Sequence, residues 1–226
     1  MGPEFSSKRR EEDHPVTKSN RAPNIVLIMA DQLAPQFTGA YGHPVVKTPH
    51  IDALAGRGMR FDSAYCNSPL CAPSRFSFMS GQLVSRIGAY DNASEFSASV
   101  PTFAHYLKLM GYRTCLSGKM HFVGPDQMHG FEERVTTDIY PSDYAWTPDW
   151  ERTEERIDKW YHNMATVKEA GIGAATFQID YDEEVAFFAK RRIFDYARDD
   201  DQPFCLVASF IHPHDPYVAR QEWWDL

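Results

Sequence analysis

The fold is decided by residues 24–32, which read N-I-V-L-I-M-A-D-Q. The part from 24 to 30 is short, continuous and apolar, and Asp31 and Gln32 follow it directly. A run of this length without alternation is typical of a strand buried in a parallel sheet. In open α/β sheets, ligands bind beyond the carboxyl ends of such strands. We therefore predict a buried strand at 24–30, with Asp31 and Gln32 at the ligand-binding edge of the sheet.

Strand and helix signals alternate through the rest of the chain. Further strands are predicted at residues 59–65, 112–117 and 203–210. Helices are predicted from Thr48, which suits an N-cap, to Gly56 or Gly58, through the second part of 69–81, over 101–110 and over 181–197. Residues 130–173 are aromatic, charged and interrupted by proline, and we interpret them as an excursion from the sheet. The alternation predicts a doubly wound α/β fold with a mostly parallel sheet and helices on both faces.

The composition limits the function classes that the chain can serve. Its 226 residues are 43% hydrophobic, enough for one domain with a buried core, and its formal net charge is −8. An acidic balance argues against nucleic acid as the main partner, because phosphate binding needs a basic surface. No apolar run approaches the length of a membrane span, and the polar N-terminus lacks the apolar core of a secretory signal. We expect a soluble, cytoplasmic protein whose four cysteines are reduced thiols.

The N-terminal residues 1–21 are set apart from the domain. Residues 1–7 look like a cloning remnant, and we exclude them from fold reasoning. Residues 8–21 are charged and lack periodicity, so we predict a mobile tail. The domain is predicted to span residues 22–226.

Two sequence blocks carry the chemistry. Residues 69–81 read P-L-C-A-P-S-R-F-S-F-M-S-G, and residues 111–121 read G-Y-R-T-C-L-S-G-K-M-H. An isolated cysteine is usually a small buried residue or an inert thiol. The two blocks together, in this order, resemble the two signatures of the type I sulfatases, which belong to the alkaline phosphatase superfamily. The resemblance implies an alkaline-phosphatase-like fold and the oxidation of Cys71 to formylglycine, whose hydrate is the family's nucleophile.

The resemblance also assigns the charged residues around this nucleophile. A sulfate ester is an anion, so its hydrolysis requires positive charge beside the nucleophile and a proton for the leaving alkoxide. Arg75 and Lys119 are implied to hold the aldehyde hydrate and the sulfate oxygens. His121 is implied to deprotonate the remaining hydroxyl so that sulfate leaves. The histidine that protonates the leaving alcohol is His212 or His214, and His214 is the closer fit to the family pattern.

A metal site is implied at the end of the first predicted strand. Asp31 and Gln32 resemble the sulfatase metal pair, although that pair is usually Asp-Asp, and the residue derived from Cys71 is implied to be a further ligand. Without this context, Asp31 would be read as a turn or cap residue. Oxygen ligands favour Ca²⁺, with Mg²⁺ or Mn²⁺ as alternatives.

Four further stretches resemble the choline sulfatases within this family. They are D-N-A-S-E at 91–95, residues 117–134, T-T-D-I-Y-P at 136–141, and H-P-H-D-P-Y-V-A-R at 212–220. The resemblance implies choline-O-sulfate as the substrate. This molecule carries a quaternary ammonium group, which aromatic faces bind through cation–π contacts. The candidate binding residues are Tyr144, Trp146, Trp150, Trp160, Tyr161 and His162. The alternative interpretation is that these aromatic residues serve packing alone.

The resemblance implies partners and also leaves alternatives. Members of the family are considerably longer than this chain, and their remaining metal ligands and a further active-site lysine lie beyond the position of Leu226. We therefore expect the chain to be the N-terminal portion of the catalytic domain, inactive on its own. The implied partners are a small sulfate ester and a formylglycine-generating enzyme, and a homo-oligomer stays open. The alternatives are a phosphomonoester or phosphonate ester hydrolase of the same superfamily, and a fragment that binds a quaternary ammonium ligand without turnover.

Overall fold

A computed structural model describes residues 22–144, 151–152, 164–199 and 201–225. The strands of this part are β1 (Ile25–Ala30), β2 (Arg113–Gly118), β3 (Glu133–Arg134), β4 (Gly171–Ile172), β5 (Phe204–Phe210) and β6 (Val218–Ala219). The α-helices are α1 (Pro49–Arg57), α2 (Cys71–Ser80), α3 (Val84–Ile87), α4 (Phe103–Leu109), α5 (Met164–Lys168), α6 (Phe177–Arg198) and α7 (Gln221–Trp224).

The main sheet has the strand order β1-β5-β2-β3, and every neighbouring pair is parallel. The strand β5, which comes last in the sequence among the four strands of this sheet, lies between β1 and β2. Ser209 of β5 is in register with Met29 on one side and with Gly118 on the other. The carboxyl ends of these three strands are therefore level, and the residues that follow them meet at one edge. A second, two-stranded parallel sheet pairs β4 with β6.

Helices cover both faces of the main sheet. Leu116 and Val207 contact the apolar side chains of α2 and α4, including Phe76 and Ala104. Their neighbours in the strands point the other way, and Leu206 belongs to the cluster that α6 completes. The predicted doubly wound α/β fold is thus confirmed.

Several predicted elements differ from the structure. Residues 59–65 form no strand, and Met59, Phe61 and Tyr65 are exposed, because no neighbouring strand accepts their backbone groups. The strand β1 is half-buried rather than buried. It lies at the edge of the sheet, with Val26 and Ile28 exposed. The helix predicted at 181–197 begins earlier, at Phe177, because the Thr176 hydroxyl accepts a hydrogen bond from the Ile179 N–H and caps it.

No helix in the described part of the chain combines the length and the apolar character that a membrane span requires.

A buried histidine makes the stability of the fold depend on pH. The ring of His129 is fully buried between those of Phe96 and Phe122, with centroid distances of 4.3 and 4.4 Å. Burial lowers the pKa of His129 to about 4. In the unfolded chain the pKa is about 6.5, so below this value the unfolded state binds the proton first. The contribution of the neutral His129 ring to the free energy of unfolding is therefore fully present above pH 6.5 and is lost as the pH falls toward 4.

Because of His129 alone, we expect the free energy of unfolding to fall by about 2 kcal/mol when the pH is lowered from 8 to 5. His129→Phe keeps an aromatic ring between the two phenylalanines and should reduce the pH dependence by about this amount in urea titrations. His50→Gln, at an exposed position, is the matched control. If the free energy of unfolding of His129→Phe depended on pH as steeply as that of wild type, His129 would not be the source of the pH dependence.

Candidate active site

Three charged side chains converge at the carboxyl edge of the main sheet. Asp31 follows β1 and Lys119 follows β2, and both are buried, with Lys119 fully inaccessible. The Lys119 ammonium forms an ion pair with the Asp31 carboxylate. Arg75, on α2, lies with Nη2 3.6 Å from Asp31 Oδ1, and its Nη1 donates to the Lys119 carbonyl at 2.6 Å and to Ser209 Oγ at 2.9 Å. The register of β1, β5 and β2 brings these groups together.

Cys71 is the first residue of α2 and contacts this charged cluster. Its Sγ lies 3.8 Å from Asp31 Oδ1 and 3.6 Å from Lys119 Nζ. The next backbone N–H, that of Ala72, donates to Asn92 Oδ1 at 2.9 Å. The start of the helix is thereby fixed, and the side chain at position 71 is held beside two cations and one carboxylate.

Burial and neighbouring charges set the protonation states of Asp31 and Cys71. Burial alone would raise the pKa of Asp31, but Lys119 and Arg75 outweigh it, and the net pKa is lowered. Burial raises the pKa of the Cys71 thiol above its ordinary value, even though Lys119 acts in the opposite direction. At neutral pH, Asp31 is therefore a carboxylate, whereas Cys71 is a thiol and not a thiolate.

His121 and Tyr140 form one wall beside the cluster. The ring centroids of His121 and Tyr140 are 5.0 Å apart, and Lys119 Nζ lies 4.3 Å from the centre of the Tyr140 ring. Burial, followed by the nearby Lys119 charge, lowers the pKa of His121 to about 4. His121 is therefore neutral at pH 7 and can accept a proton.

The structure separates the two histidines that follow β5. His214 is buried, and one of its nitrogens, one Asp31 oxygen and Cys71 Sγ all lie within 4.8 Å of one another. Its Nδ1 lies 3.0 Å from the Asp215 carbonyl oxygen. The Nδ1 of His212 instead lies 2.7 Å from Asp182 Oδ2, on α6. His214 thus joins the group around Cys71, while the contact observed for His212 is with a helix.

The remaining predicted residues are placed less centrally or lie outside the described range. Gln32 is exposed, and its Nε2 donates to the Tyr217 hydroxyl at 3.0 Å. Tyr144 is about half exposed. The other members of the predicted aromatic set lie outside the described residues: Trp146, Trp150, Trp160, Tyr161 and His162. The ammonium-binding role of this set therefore stays a prediction.

Sequence reasoning did not select Tyr140, Asn92 or Ser209. Tyr140 follows an irregular loop, where no periodicity marks a side chain as inward-pointing. Asn92 and Tyr140 both lie in stretches that resemble choline sulfatases, 91–95 and 136–141, and this was the available signal. Ser209 lies inside an apolar strand, and only the strand order shows that it faces Arg75.

The sulfatase family profile matches residues 23–225. The chain therefore belongs to the sulfatase family, within the alkaline phosphatase superfamily. The site just described thus lies in a domain of this class.

Among curated proteins, the chain is 54% identical to the choline-sulfatase of Rhizobium meliloti over 208 residues, which are 90% of this chain and 41% of that protein. It is 29% identical to an N-acetylglucosamine-6-O-sulfatase of Bacteroides thetaiotaomicron, covering 89% of this chain and 32% of the relative. The chain spans less than half the length of these curated relatives. The solved structure of the phosphonate monoester hydrolase of Agrobacterium radiobacter shares the fold, with a TM-score of 0.62 and 24% identity over 88% of this chain and 43% of that one.

Proposed function

We propose that the protein hydrolyses choline-O-sulfate to choline and sulfate, using a formylglycine made from Cys71 and a divalent metal ion. The observation that carries the proposal is the part-buried contact of Cys71 with Lys119 and Asp31, with Arg75 next to Asp31. The 54% identity to a choline-sulfatase supports the choice of substrate.

The two buried cations suit an anionic substrate. Lys119 and Arg75 lie where a sulfate group attached to residue 71 would carry negative charge. Buried charges interact strongly because little water screens them. The Asp31 carboxylate lies between the two cations before substrate binds and offsets part of their mutual repulsion, which leaves a net positive charge for an anionic group.

The residues at the site fit the modification that the family uses. Because burial keeps Cys71 a protonated thiol, the unmodified side chain is a poor nucleophile. A formylglycine hydrate would supply a hydroxyl nucleophile at this position. The proposal therefore includes a formylglycine-generating enzyme as a maturation partner.

The donor set also fits a divalent cation in part. The Asp31 carboxylate and the side chain at position 71 are adjacent, and Gln32 follows Asp31 in the chain. A cation there would supply positive charge beside the nucleophile. Carboxylate and amide oxygens favour Ca²⁺, with Mg²⁺ or Mn²⁺ as alternatives, and Ca²⁺ needs more ligands than these.

Two histidines are assigned to proton transfer. His121 is assigned to accept the proton of the remaining hydroxyl. Burial and the Lys119 charge lower its pKa to about 4, so it is neutral at pH 7 before it does so. His214 is the candidate to donate a proton to the leaving alcohol, because one of its nitrogens lies within 4.8 Å of Cys71 Sγ. Asp215 holds its Nδ1, and we assign the transfer to Nε2. His212, held by Asp182, is a weaker candidate for this role.

A cytoplasmic location stays a prediction from the sequence.

A substrate panel tests the proposal against its alternatives. The protein of natural length is assayed with choline-O-sulfate, a neutral alkyl sulfate of similar size, an aryl sulfate, a phosphate monoester and a phosphonate monoester. Choline-O-sulfate is expected to exceed the neutral alkyl sulfate by one to two powers of ten in kcat/KM, at about 0.5–2 kcal/mol per aromatic face. Faster hydrolysis of the phosphorus esters would favour the phosphohydrolase alternative. Choline binding without turnover, measured on the chain of residues 1–226, would favour the fragment that only binds a quaternary ammonium ligand.

The same panel tests the aromatic set. Trp146→Ala is expected to lower kcat/KM for choline-O-sulfate about tenfold while leaving the aryl sulfate rate within about twofold, because a cation–π contact acts only on the ammonium group. Equal loss on both substrates would contradict this role, and Trp150, Trp160 and Tyr161 would then be substituted in turn.

A further inference from the structure

The turn that carries Lys119 and His121 has an unusual backbone. Gly118 has a φ of 108° and His121 a φ of 59°, both in the left-handed region. A Cβ at Gly118 would collide with the backbone of Ser209, so glycine is required there. His121 gains no such freedom, and a non-glycine residue holds this conformation only where its surroundings stabilise it.

The side chain of Asp138 supplies this stabilisation. It is 4% exposed, and its Oδ2 accepts hydrogen bonds from the N–H groups of Met120, at 3.0 Å, and His121, at 2.7 Å. Both N–H groups lie in a buried turn, where an unpaired donor is costly. The carboxylate therefore pairs two adjacent donors with one acceptor group.

A second set of contacts holds Asp138 in turn. Arg134 Nη2 donates to Asp138 Oδ2 at 2.8 Å, and Arg134 Nη1 donates to the Gln127 carbonyl at 3.0 Å. Thr136 Oγ1 accepts a hydrogen bond from the Gly118 N–H at 2.7 Å. The loop between β3 and Tyr140 therefore contacts both the beginning and the end of the turn that carries Lys119 and His121.

We propose that Asp138 is a positioning residue for the hydrolytic reaction, acting through the backbone of Met120 and His121 to orient the His121 imidazole and the Lys119 ammonium. The inference rests on the function proposed above, because it gives those two side chains their roles. The loop that supplies Asp138 also supplies Tyr140, whose ring packs against both of them. One carboxylate thus fixes the turn, and the same loop completes the wall of the site.

Asp126 offers a matched control on the same part of the chain. Its Oδ1 accepts from the N–H groups of two consecutive residues, Met128 at 2.9 Å and His129 at 3.0 Å, as Asp138 does at the site. It lies outside the proposed machinery. Asp126→Ala therefore reports the effect of removing such a contact where no catalytic residue depends on it.

The test combines amide exchange with a double-mutant cycle in the protein of natural length. Asp138→Ala is expected to speed hydrogen exchange at Met120 and His121 and to lower kcat about 100-fold with KM within about threefold, because small misplacements of catalytic groups are costly. Added to His121→Ala, it should lower kcat by less than about tenfold more, which is the part that acts through Lys119. Asp138→Asn, which retains one acceptor oxygen, should recover to within about tenfold of wild type.

Three results would overturn the inference. The first is a double variant whose loss in kcat equals the product of the losses in Asp138→Ala and His121→Ala. The second is an Asp138→Ala kcat within about threefold of that of Asp126→Ala, and the third is unchanged amide hydrogen exchange at Met120 and His121 in Asp138→Ala. A wild-type protein that hydrolyses no sulfate ester would instead overturn the proposed function. The two failures are therefore distinguishable.

Discussion

Cys71→Ala is expected to lower kcat for choline-O-sulfate by at least about 10⁴-fold, since it removes the proposed covalent nucleophile and with it the step that this group would perform. The fold should survive. The helix α2 is held at its start by Asn92, which accepts from the Ala72 N–H, and the Cys71 side chain takes no part in that contact. Thermal unfolding of the variant should therefore match wild type within a few degrees, about 1 kcal/mol or less.

Cys66→Ala is the matched control for this substitution. Cys66 is an exposed free thiol close to Cys71 in the chain. Its removal should leave kcat/KM unchanged. If Cys71→Ala retained more than about a tenth of the wild-type rate, equal to about 1.4 kcal/mol of barrier, the nucleophile would have to be another group.

Lys119→Met is expected to lower kcat/KM about 10³-fold, because it removes a fully buried cation beside Cys71 while keeping a side chain of similar length. It also removes the ion-pair partner of Asp31, so the pKa of that carboxyl should rise. The measurement is kcat/KM on choline-O-sulfate and on the aryl sulfate. Both should fall together, since the cation acts on the sulfate group that they share.

Lys190→Met, on the exposed side of α6, controls for the loss of one positive charge. It should retain full activity. A Lys119→Met enzyme within tenfold of wild type would show that the reaction does not depend on the buried ammonium.

The sheet-edge location of the site could be predicted from the sequence. The apolar run before Asp31 and the strand before Lys119 indicated that both residues follow parallel strands, and the structure confirms this placement. The direct ion pair between them could not be predicted, because it depends on β5 lying between β1 and β2. Nothing in the local pattern of either strand encodes this order.

Loop residues were the least predictable part of the site. His212 and His214 follow the same strand two positions apart, and only the structure shows one against Asp182 and the other near Cys71. Asp138 and Tyr140 lie in a stretch without periodicity, so their burial could not be read from spacing. The apolar residues of 59–65 suggested a strand, but without a pairing partner they stay exposed.

The proposed reaction depends on conversion of Cys71 to formylglycine, and one measurement tests this dependence most directly. Preparations of the natural-length protein with different degrees of maturation are analysed by mass spectrometry of the peptide that contains residue 71. Each is then assayed for sulfate release from choline-O-sulfate. We predict that the rate rises in proportion to the fraction of aldehyde at position 71 and extrapolates to zero for the unconverted thiol. Undiminished sulfate release from protein that contains only the thiol would show that the reaction does not need the conversion.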